Sequence, residues 1–404
     1  MCPYMNKTKS TGKKYQLPSP TLLDRHSDEI KKEDRAYIRE LSGNLERTLE
    51  SFGIDGYVPR ITVGPRITRF VISLAPGVRV DKVIKHQKDI AVSMKTENIR
   101  IQAPIPGKDA AGVEIPNRVT NTVYLRSLLE SKAWNNSKAV IPLVLGCDID
   151  GKAAILDLAK APHLLIAASS QSEKYNCLNS IIMSLLFRFS PDDLKLIMID
   201  PMVVDFEMYR PLPHLMTPII NDPEKARLAL DWGVSEMERR YKVLKKVKAK
   251  NLATFNSRQP EPQPVTDDDG NVIPPKLPIV VIIMNELSDA VKGIRKVDVE
   301  TDICRIAQKG RAVGIHLVIA TQFPQKQVVT GLIKANIPTK IAFHLSDIKD
   351  SRVILDCVGA EKLLGNGDML FNPPEGTSLE RIQGAFISGP EIAKVIDEIA
   401  AQCP

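Results

Sequence analysis

The chain has 404 residues, which is long for one ordinary domain and predicts two or three. Hydrophobic residues make up 43% and charged residues 25%, and no apolar run approaches the ~18 residues of a membrane span. The composition therefore predicts neither a disordered chain nor a membrane-spanning one. The net charge of +7 permits contact with nucleic acid without requiring it.

The N-terminus and the cysteines bear on the compartment. The first twenty residues are basic but lack the apolar segment of a secretory signal, which predicts a cytoplasmic location. The six cysteines lie far apart and form no C-x-x-C pair, which argues against zinc and against a disulfide framework. No metal site is predicted.

The N-terminal part of the chain predicts a tail followed by a small α+β subdomain. Residues 1–20 are polar and lysine-rich, as in a disordered basic arm. Apolar residues then recur at helical spacing up to residue 52, after a candidate N-cap at Ser27. Short strand patterns and one more helical pattern (82–94) complete a subdomain expected over 21–120. A connecting segment is expected over 121–157.

The remainder, 158–404, alternates apolar strands with helices. The five strand-like runs are 163–168, 194–200, 278–284, 315–320 and 340–345. Fully apolar strands joined by helices predict a mainly parallel sheet with helices on both faces. Ligands in such sheets bind beyond the carboxyl ends of the strands, which draws attention to Ala168, Asp200, Asn285 and Thr321. A Pro- and Asp-rich stretch, 258–276, predicts an exposed loop within this domain.

The stretch after the first of these strands resembles a phosphate-binding loop with altered residues. The working motif is G-x-x-x-x-G-K-[ST], whose glycines let backbone N–H groups surround phosphates and whose hydroxyl binds Mg²⁺. In this chain Ala168 and Glu173 replace the two glycines, Tyr175 replaces the Ser or Thr, and Lys174 is retained. The complete stretch is Ala168, Ser169, Ser170, Gln171, Ser172, Glu173, Lys174 and Tyr175.

Longer strings identify the chain as similar to a known family. They include "GPRITRFVISLAPGVRV" (64–80), "LAKAPHLLIA" (158–167), "RIAQKGRAVGIHLVIATQ" (305–322) and "DSRVILDCVGAEKLLGNGDML" (350–370). Over about residues 35–400 the chain resembles the motor region of the FtsK/SpoIIIE family of double-stranded DNA translocases. The resemblance implies a RecA-like P-loop NTPase core, preceded by the family's non-catalytic α subdomain. It also implies double-stranded DNA as partner, assembly into a ring such as a hexamer, and a role in chromosome segregation.

The departures from the family pattern concentrate where chemistry would occur. Gln171 stands where the family has another glycine, and Asn285 replaces the Walker B aspartate that organises the metal ion. Glu286 matches the family's general base and is interpreted as vestigial. Met202 and Phe323 stand where the family has a lysine and an arginine.

Some family positions are retained. Gln322 resembles the γ-phosphate sensor, and Arg305 and Arg311 match a segment that can present arginines to a neighbouring subunit's nucleotide. The alternative for both arginines is a charged helix face.

Each altered residue has a physical consequence. A side chain at positions 171 and 173 obstructs the close backbone approach that glycine permits. Glu173 also adds like-charge repulsion beside phosphates, and Tyr175 is too large to replace the Mg²⁺-binding hydroxyl. The sequence therefore predicts a pseudo-ATPase with no tightly bound cofactor. ATP and Mg²⁺ are expected only if the chain is instead an active translocase with an atypical site.

Three functions remain open from the sequence. The first is a DNA-binding or ring-forming subunit, acting with itself or with an active paralogue. The second is an active, ATP-driven translocase, and the third is a protein-interaction scaffold. Lys326, Lys334 and Lys340 are candidate DNA contacts, with a solvated basic loop as the alternative. No membrane anchor or winged-helix module is recognised, so the chain is either a fragment of a longer protein or a protein without directional DNA readout.

Overall fold

The computed structural model describes residues 15–26, 33–96, 99–105, 109–259, 265–267, 270–290, 292, 295–374 and 378–403. The strands are β1 (Gly56–Val63), β2 (Ile67–Leu74), β3 (Arg100–Gln102), β4 (Ala111–Pro116), β5 (Pro142–Asp148), β6 (Ala153–Asp157), β7 (His163–Ala167), β8 (Leu194–Ile199), β9 (Ile279–Met284), β10 (Ile315–Thr321), β11 (Lys340–Ala342), β12 (Asp368–Asn372) and β13 (Glu380–Gly384). The helices are α1 (Arg35–Ser51), α2 (Asp81–Lys85), α3 (Gln87–Ser93), α4 (Leu125–Leu129), α5 (Lys132–Asn135), α6 (Gln171–Leu186), α7 (Pro223–Lys246), α8 (Leu252–Asn256), α9 (Leu287–Ala290), α10 (Lys296–Val313), α11 (Gly331–Asn336), α12 (Ile348–Leu355) and α13 (Gly389–Gln402). No helix in these ranges has the length and apolar character needed to cross a membrane.

The N-terminal subdomain is an antiparallel sheet, ordered β1-β2-β4-β3, against which α1 packs. Leu41, Leu45 and Leu49 recur every four residues on α1, so one face of the helix is fully buried in this core. The helix begins at Arg35, where the Asp34 side chain accepts the N–H of Ala36. The cap predicted at Ser27 lies outside the described residues.

The larger domain is built on a nine-stranded sheet, ordered β6-β5-β13-β12-β11-β7-β10-β9-β8 within the described residues. From β11 to β8 the strands are parallel, and they correspond to the five predicted apolar runs. From β11 to β6 they are antiparallel, which the prediction of a mainly parallel sheet did not include. Residues 142–157, predicted as part of a connecting segment, therefore supply two strands of this sheet.

Both faces of the parallel half are covered by helices, as predicted. On β7, Leu164 and Ile166 belong to a core that includes residues of α6 and α13. The alternate residues, Leu165 and Ala167, belong to a second core that includes residues of α7 and α10. Because successive side chains of a strand point to opposite faces, a strand between two cores must be apolar throughout.

Part of the predicted disordered arm is ordered. Residues 1–14 lie outside the described residues, but the Gln16 backbone exchanges two hydrogen bonds with the Gln402 side chain on α13, at 2.8 and 3.1 Å. Leu23 is buried in the core of the larger domain, and Asp24 pairs with Lys394 of α13 at 2.6 Å. The prediction for residues 15–20 was wrong because composition does not register these contacts with the far end of the chain.

A buried ion cluster joins the two domains. Glu114 of β4 pairs with Arg69 and Arg100 of its own domain and with Arg381 of β13, the last at 2.8 Å. Arg381 also binds Asp368 of β12 at 2.6 Å. Burial alone would raise the pKa of Glu114, but Arg100, Arg381 and Arg69 together lower this pKa to about 2. The carboxylate is therefore charged and fixes the position of β4 against the large sheet.

Candidate nucleotide-binding site

The residues that follow the parallel strands come together at the carboxyl edge of the sheet. The Asn285 amide, after β9, donates to Asp200, after β8, at 3.0 Å. Thr321 at the end of β10 donates to Glu286 at 2.7 Å, and the Ala168 N–H donates to the Thr321 carbonyl at 3.2 Å. Ends of adjacent parallel strands meet at one sheet edge, and the structure places these candidate residues there.

The loop between β7 and α6 has no phosphate cradle. Only residues 168–170 separate the strand from the helix, which begins at Gln171. Backbone nests that bind anions alternate right-handed and left-handed residues, yet no residue from 168 to 175, all of them described, has a positive φ. The second half of the eight-residue motif is thus the ordinary first turn of an α-helix, and the N–H groups of Ala168 and Ser169 before it donate to the carbonyls of Thr321 and His344.

Glu173 is buried and bound to another part of its own domain. Its side chain accepts the N–H of Gly367 at 3.0 Å, in the turn before β12. Arg66 of the N-terminal subdomain donates to two carbonyls of the same turn, those of Gly365 and Asn366, at 3.1 and 3.2 Å. Burial raises the pKa of Glu173, and the Gly367 N–H partly offsets this rise in the pKa.

Lys174 does not face an open site. Its ammonium lies 3.5 Å from Glu286, and each side chain is only 2% exposed. The Glu286 carboxylate also accepts the hydroxyls of Thr321 and Ser288, at 2.7 and 2.8 Å, and the Gln322 N–H at 2.7 Å. The two residues that most resemble working motor residues therefore satisfy each other and their neighbours.

A second buried network occupies the position of the Walker B aspartate. The Asn285 amide donates to both Asp200, at 3.0 Å, and Asp205, at 2.8 Å. Gln171, at the start of α6, also donates to Asp205, at 3.1 Å. Asp200 further accepts the N–H groups of Asp205 and Phe206, both at 3.1 Å. Sequence reasoning missed Asp205, since it lies within a loop and in no motif.

The remaining altered positions have local partners or face solvent. The Tyr175 hydroxyl lies 3.6 Å from the Met208 sulfur, and it reaches no carboxylate. Met202 and Phe323 are about half exposed, at 53% and 50%. The Ser169 hydroxyl contacts Ser346 at 3.1 Å. The hydroxyls of Ser170 and Ser172 contact each other at 2.9 Å.

These residues do not fit Mg-ATP. The loop has no left-handed residue to form a nest, and the N–H groups of Ala168 and Ser169 are already bonded. Tyr175 replaces the small hydroxyl, and Asn285 presents its amide donor to the two carboxylates that could face a cation. Among the described residues, no group of three or more His, Cys, Asp or Glu could hold a metal ion. Most polar groups of the site bind one another, although the side-chain carbonyl oxygen of Asn285 is buried without a partner.

Comparison with known proteins decides the family. A family model described as "FtsK/SpoIIIE family" matches residues 124–326, half of the chain, and one described as "FtsK alpha domain" matches 17–117. The chain belongs to the FtsK/SpoIIIE family. It is 44% identical to DNA translocase FtsK of Clostridium tetani, over 95% of this chain and 50% of that protein. It is 42% identical to DNA translocase SpoIIIE of Bacillus subtilis, over 99% and 50%. The chain thus spans about half the length of these relatives.

Solved structures of ATPase motor domains share the fold of this chain. The conjugation coupling protein TcpA of pCW3, solved with ATPγS, matches with a TM-score of 0.59 at 19% identity, over 89% of this chain and 99% of that chain. The cytoplasmic domain of the type VII secretion ATPase EccC of Thermomonospora curvata matches with a TM-score of 0.58 at 22% identity, over 70% and 35%. The larger domain therefore has the predicted RecA-like P-loop NTPase fold, whatever its nucleotide site does.

The other positions carried over from the FtsK/SpoIIIE pattern lie outside this site. Arg305 on α10 pairs with Glu238 at 2.5 Å, and Arg311 near the end of α10 donates to the Ala159 carbonyl at 3.0 Å. Both arginines are exposed, and Arg311 lies near the start of β10, at the opposite edge of the sheet from the loop. A role at a neighbouring subunit stays a prediction.

The predicted DNA contacts differ in exposure. Lys326 is exposed, in the loop after β10. Lys334 and Lys340 both bind Asp356, at 2.6 and 3.1 Å, and Lys340 is only 6% exposed. The candidate contact surface is therefore smaller than the sequence predicted, with Lys326 its most accessible cation.

Proposed function

We propose that the chain is an FtsK/SpoIIIE-type subunit that does not turn over ATP, and that it binds double-stranded DNA, assembles with like subunits, or does both. One observation carries the proposal: Glu173 and Lys174, at the centre of the nucleotide loop, are buried and bound to groups of their own chain. A nucleotide would have to break both contacts and would still find no cradle. No cofactor is expected to bind tightly.

The DNA partner is supported by the relatives. Several proteins of 42–44% identity are named DNA translocases, and the family match covers the core of this chain. Ring assembly and a cytoplasmic location are proposals of the same kind. Motors that hold phosphates rather than bases bind duplex DNA without sequence preference and with strong salt dependence.

The test measures nucleotide and DNA binding on one preparation. Calorimetry with ATP and Mg²⁺ is expected to give no measurable heat, and ATP hydrolysis with duplex DNA is expected to match that of Glu286→Ala. A mobility assay at 50 and 200 mM salt is expected to detect DNA binding that weakens strongly with salt. Hydrolysis that DNA stimulates and Glu286→Ala abolishes would overturn the pseudo-ATPase proposal.

An active translocase is the second candidate, because one observation favours it. Lys174 and the Gln322 N–H both lie within hydrogen-bonding distance of Glu286, at the correct strand ends. Tight binding of Mg-ATP would support this candidate. Binding of neither ATP nor DNA would instead favour a protein-interaction scaffold.

A further inference from the structure

The end of α7 and the residues after it form an unusually basic segment. Residues 239–250 contain seven Lys or Arg and no Asp or Glu. Two of them have structural roles: Arg240 is buried and donates to the carbonyls of Pro278 and Val313, both at 2.8 Å, and Arg239 pairs with Glu236 at 2.7 Å. These contacts fix the end of α7 beside the amino ends of β9 and β10.

Besides Lys246, four lysines of this segment are exposed and face solvent: Lys242, Lys245, Lys248 and Lys250. None of these four forms an ion pair with an acidic side chain in the part of the chain that the structure describes. A fifth lysine, Lys309 of α10, is also exposed. It lies beside the end of α7, where the Tyr241 hydroxyl donates to the Lys309 backbone carbonyl at 2.9 Å. We call these five lysines the amino-edge patch.

The amino-edge patch lies far from the nucleotide site. Helix α7 starts next to Ile220, which pairs with the carboxyl end of β8, and runs back to the amino ends of the strands. Its 24 residues span about 36 Å at 1.5 Å per residue. The negative end of the helix dipole, about half a charge, is outweighed by the patch. A group of exposed lysines therefore lies on the side of the domain opposite the predicted contact at Lys326.

The chemistry of the patch separates three kinds of partner. A helix that lies on a membrane needs an exposed apolar face, but Met237, Val243 and Leu244 of α7 are buried. Protein interfaces are enriched in aromatic residues and arginine and depleted in lysine, whereas the five cations of the patch are all lysines. Exposed lysines without ion-pair partners match the regular negative charge of a nucleic-acid backbone.

We propose that the amino-edge patch binds the phosphate backbone of double-stranded DNA, as a second contact surface distinct from the one predicted at Lys326. The proposal rests on the proposed function only in taking duplex DNA as the ligand. The contact has no sequence preference, because no side chain of the patch reads bases. Each lysine that neutralises a phosphate contributes about 0.9 to the slope of log K against log salt concentration.

The test is a triple variant, Lys242→Gln, Lys245→Gln and Lys248→Gln, in the full chain. The salt dependence of binding to a random-sequence duplex is measured between 50 and 200 mM. The slope is expected to fall by about 3, and the affinity at 100 mM to fall about tenfold or more. The matched control changes three exposed lysines of the N-terminal subdomain, Lys82→Gln, Lys85→Gln and Lys88→Gln, which removes the same charge.

The outcomes separate this proposal from the proposed function. If the unaltered chain binds no DNA, both fail. If it binds and the α7 variant keeps the same slope, only the amino-edge patch fails. Equal losses in both triple variants would show an effect of net charge alone and would also overturn the patch. Binding of the unaltered chain to phosphatidylserine vesicles, lost in the α7 variant while DNA binding is kept, would assign the patch to membranes instead. An unchanged Tm verifies that each variant is folded.

Discussion

Substituting Asn285 by Asp would restore the acidic residue of an active family member, and it is expected to destabilise this chain instead. The Asn285 amide is 1% exposed and is the donor that separates the carboxylates of Asp200 and Asp205. Its own carbonyl oxygen is buried without a partner. A carboxylate at this position would remove the shared donor and place a third negative group within about 3 Å of two others.

The size of the destabilisation depends on whether the new carboxyl at position 285 stays ionised or binds a proton. Two like charges about 3 Å apart repel by roughly 5 kcal/mol at an effective dielectric constant of about 20, so an ionised carboxylate at position 285 would face a larger total from both neighbours. The new group would avoid this by binding a proton. Holding a carboxyl of ordinary pKa near 3.9 protonated at pH 7 costs about 4 kcal/mol. We therefore expect a loss of about 4 kcal/mol, or roughly 5 °C in Tm for a chain of 404 residues.

The pH dependence distinguishes this mechanism from simple loss of hydrogen bonds. The introduced carboxyl has a raised pKa in the folded protein, so its penalty should shrink by about 1.4 kcal/mol for each pH unit below 7. Asn285→Ala removes the same donor without adding a carboxyl, so its deficit relative to the unaltered chain should change less with pH. Urea unfolding of the unaltered chain and the two variants at pH 7.5 and 5.5 measures the loss of unfolding free energy in each variant. An Asn285→Asp variant as stable as the unaltered chain, or one that gains ATP hydrolysis, would refute the reasoning.

Three further results are expected. Burial lowers the pKa of three histidines to about 3, 4 and 4, namely His163, His214 and His316. The unfolded chain binds protons that the folded chain excludes, so stability is complete above pH 6.5 and should fall by about 1 kcal/mol per histidine per pH unit as the pH drops towards 4; a urea midpoint that is flat from pH 7 to 5 would contradict this. Gly146→Ala should lower Tm severely, because at φ +153° its Cβ would meet the Gln383 carbonyl oxygen at 1.9 Å, whereas Gly43→Ala on α1, with nothing within 4 Å, should stabilise by about 0.5–1 kcal/mol. Arg381→Met should cost about 3–5 kcal/mol in urea unfolding, since it leaves Glu114 buried with fewer cations, and a neutral result would show that the ion cluster does not hold the domains together.

Local pattern predicted the parallel half of the large sheet and missed the antiparallel half. The strands β7 to β11 are apolar because they are buried on both faces, and this signal is visible in any short window. Strand β13 reads ERIQG and carries no such signal. It pairs with β5, more than 230 residues earlier, which no local window can detect.

At the nucleotide site too, the sequence pattern predicted the position of some residues and missed others. Ala168, Asp200, Asn285 and Thr321 could be placed because each follows an apolar strand. The partners that decide what they do could not be placed. Gly367 is 194 residues from Glu173, and Asp205 lies in a loop whose fold depends on Asp200. The motif shows which residues differ from the family pattern, but only tertiary contacts reveal what those residues bind.

The hydrogen bond between Glu173 and the Gly367 N–H has a thermodynamic consequence. A bound ligand stabilises a conformation in proportion to the logarithm of its concentration, so the conformation responds to supply. A carboxylate covalently attached to the same chain has a fixed effective concentration. If the chain binds no nucleotide, as proposed, the link from α6 through the 365–367 turn to Arg66 of the N-terminal subdomain has the same strength at any ratio of ATP to ADP. On that proposal the relation between the two domains is an equilibrium property of the polypeptide and carries no information about nucleotide.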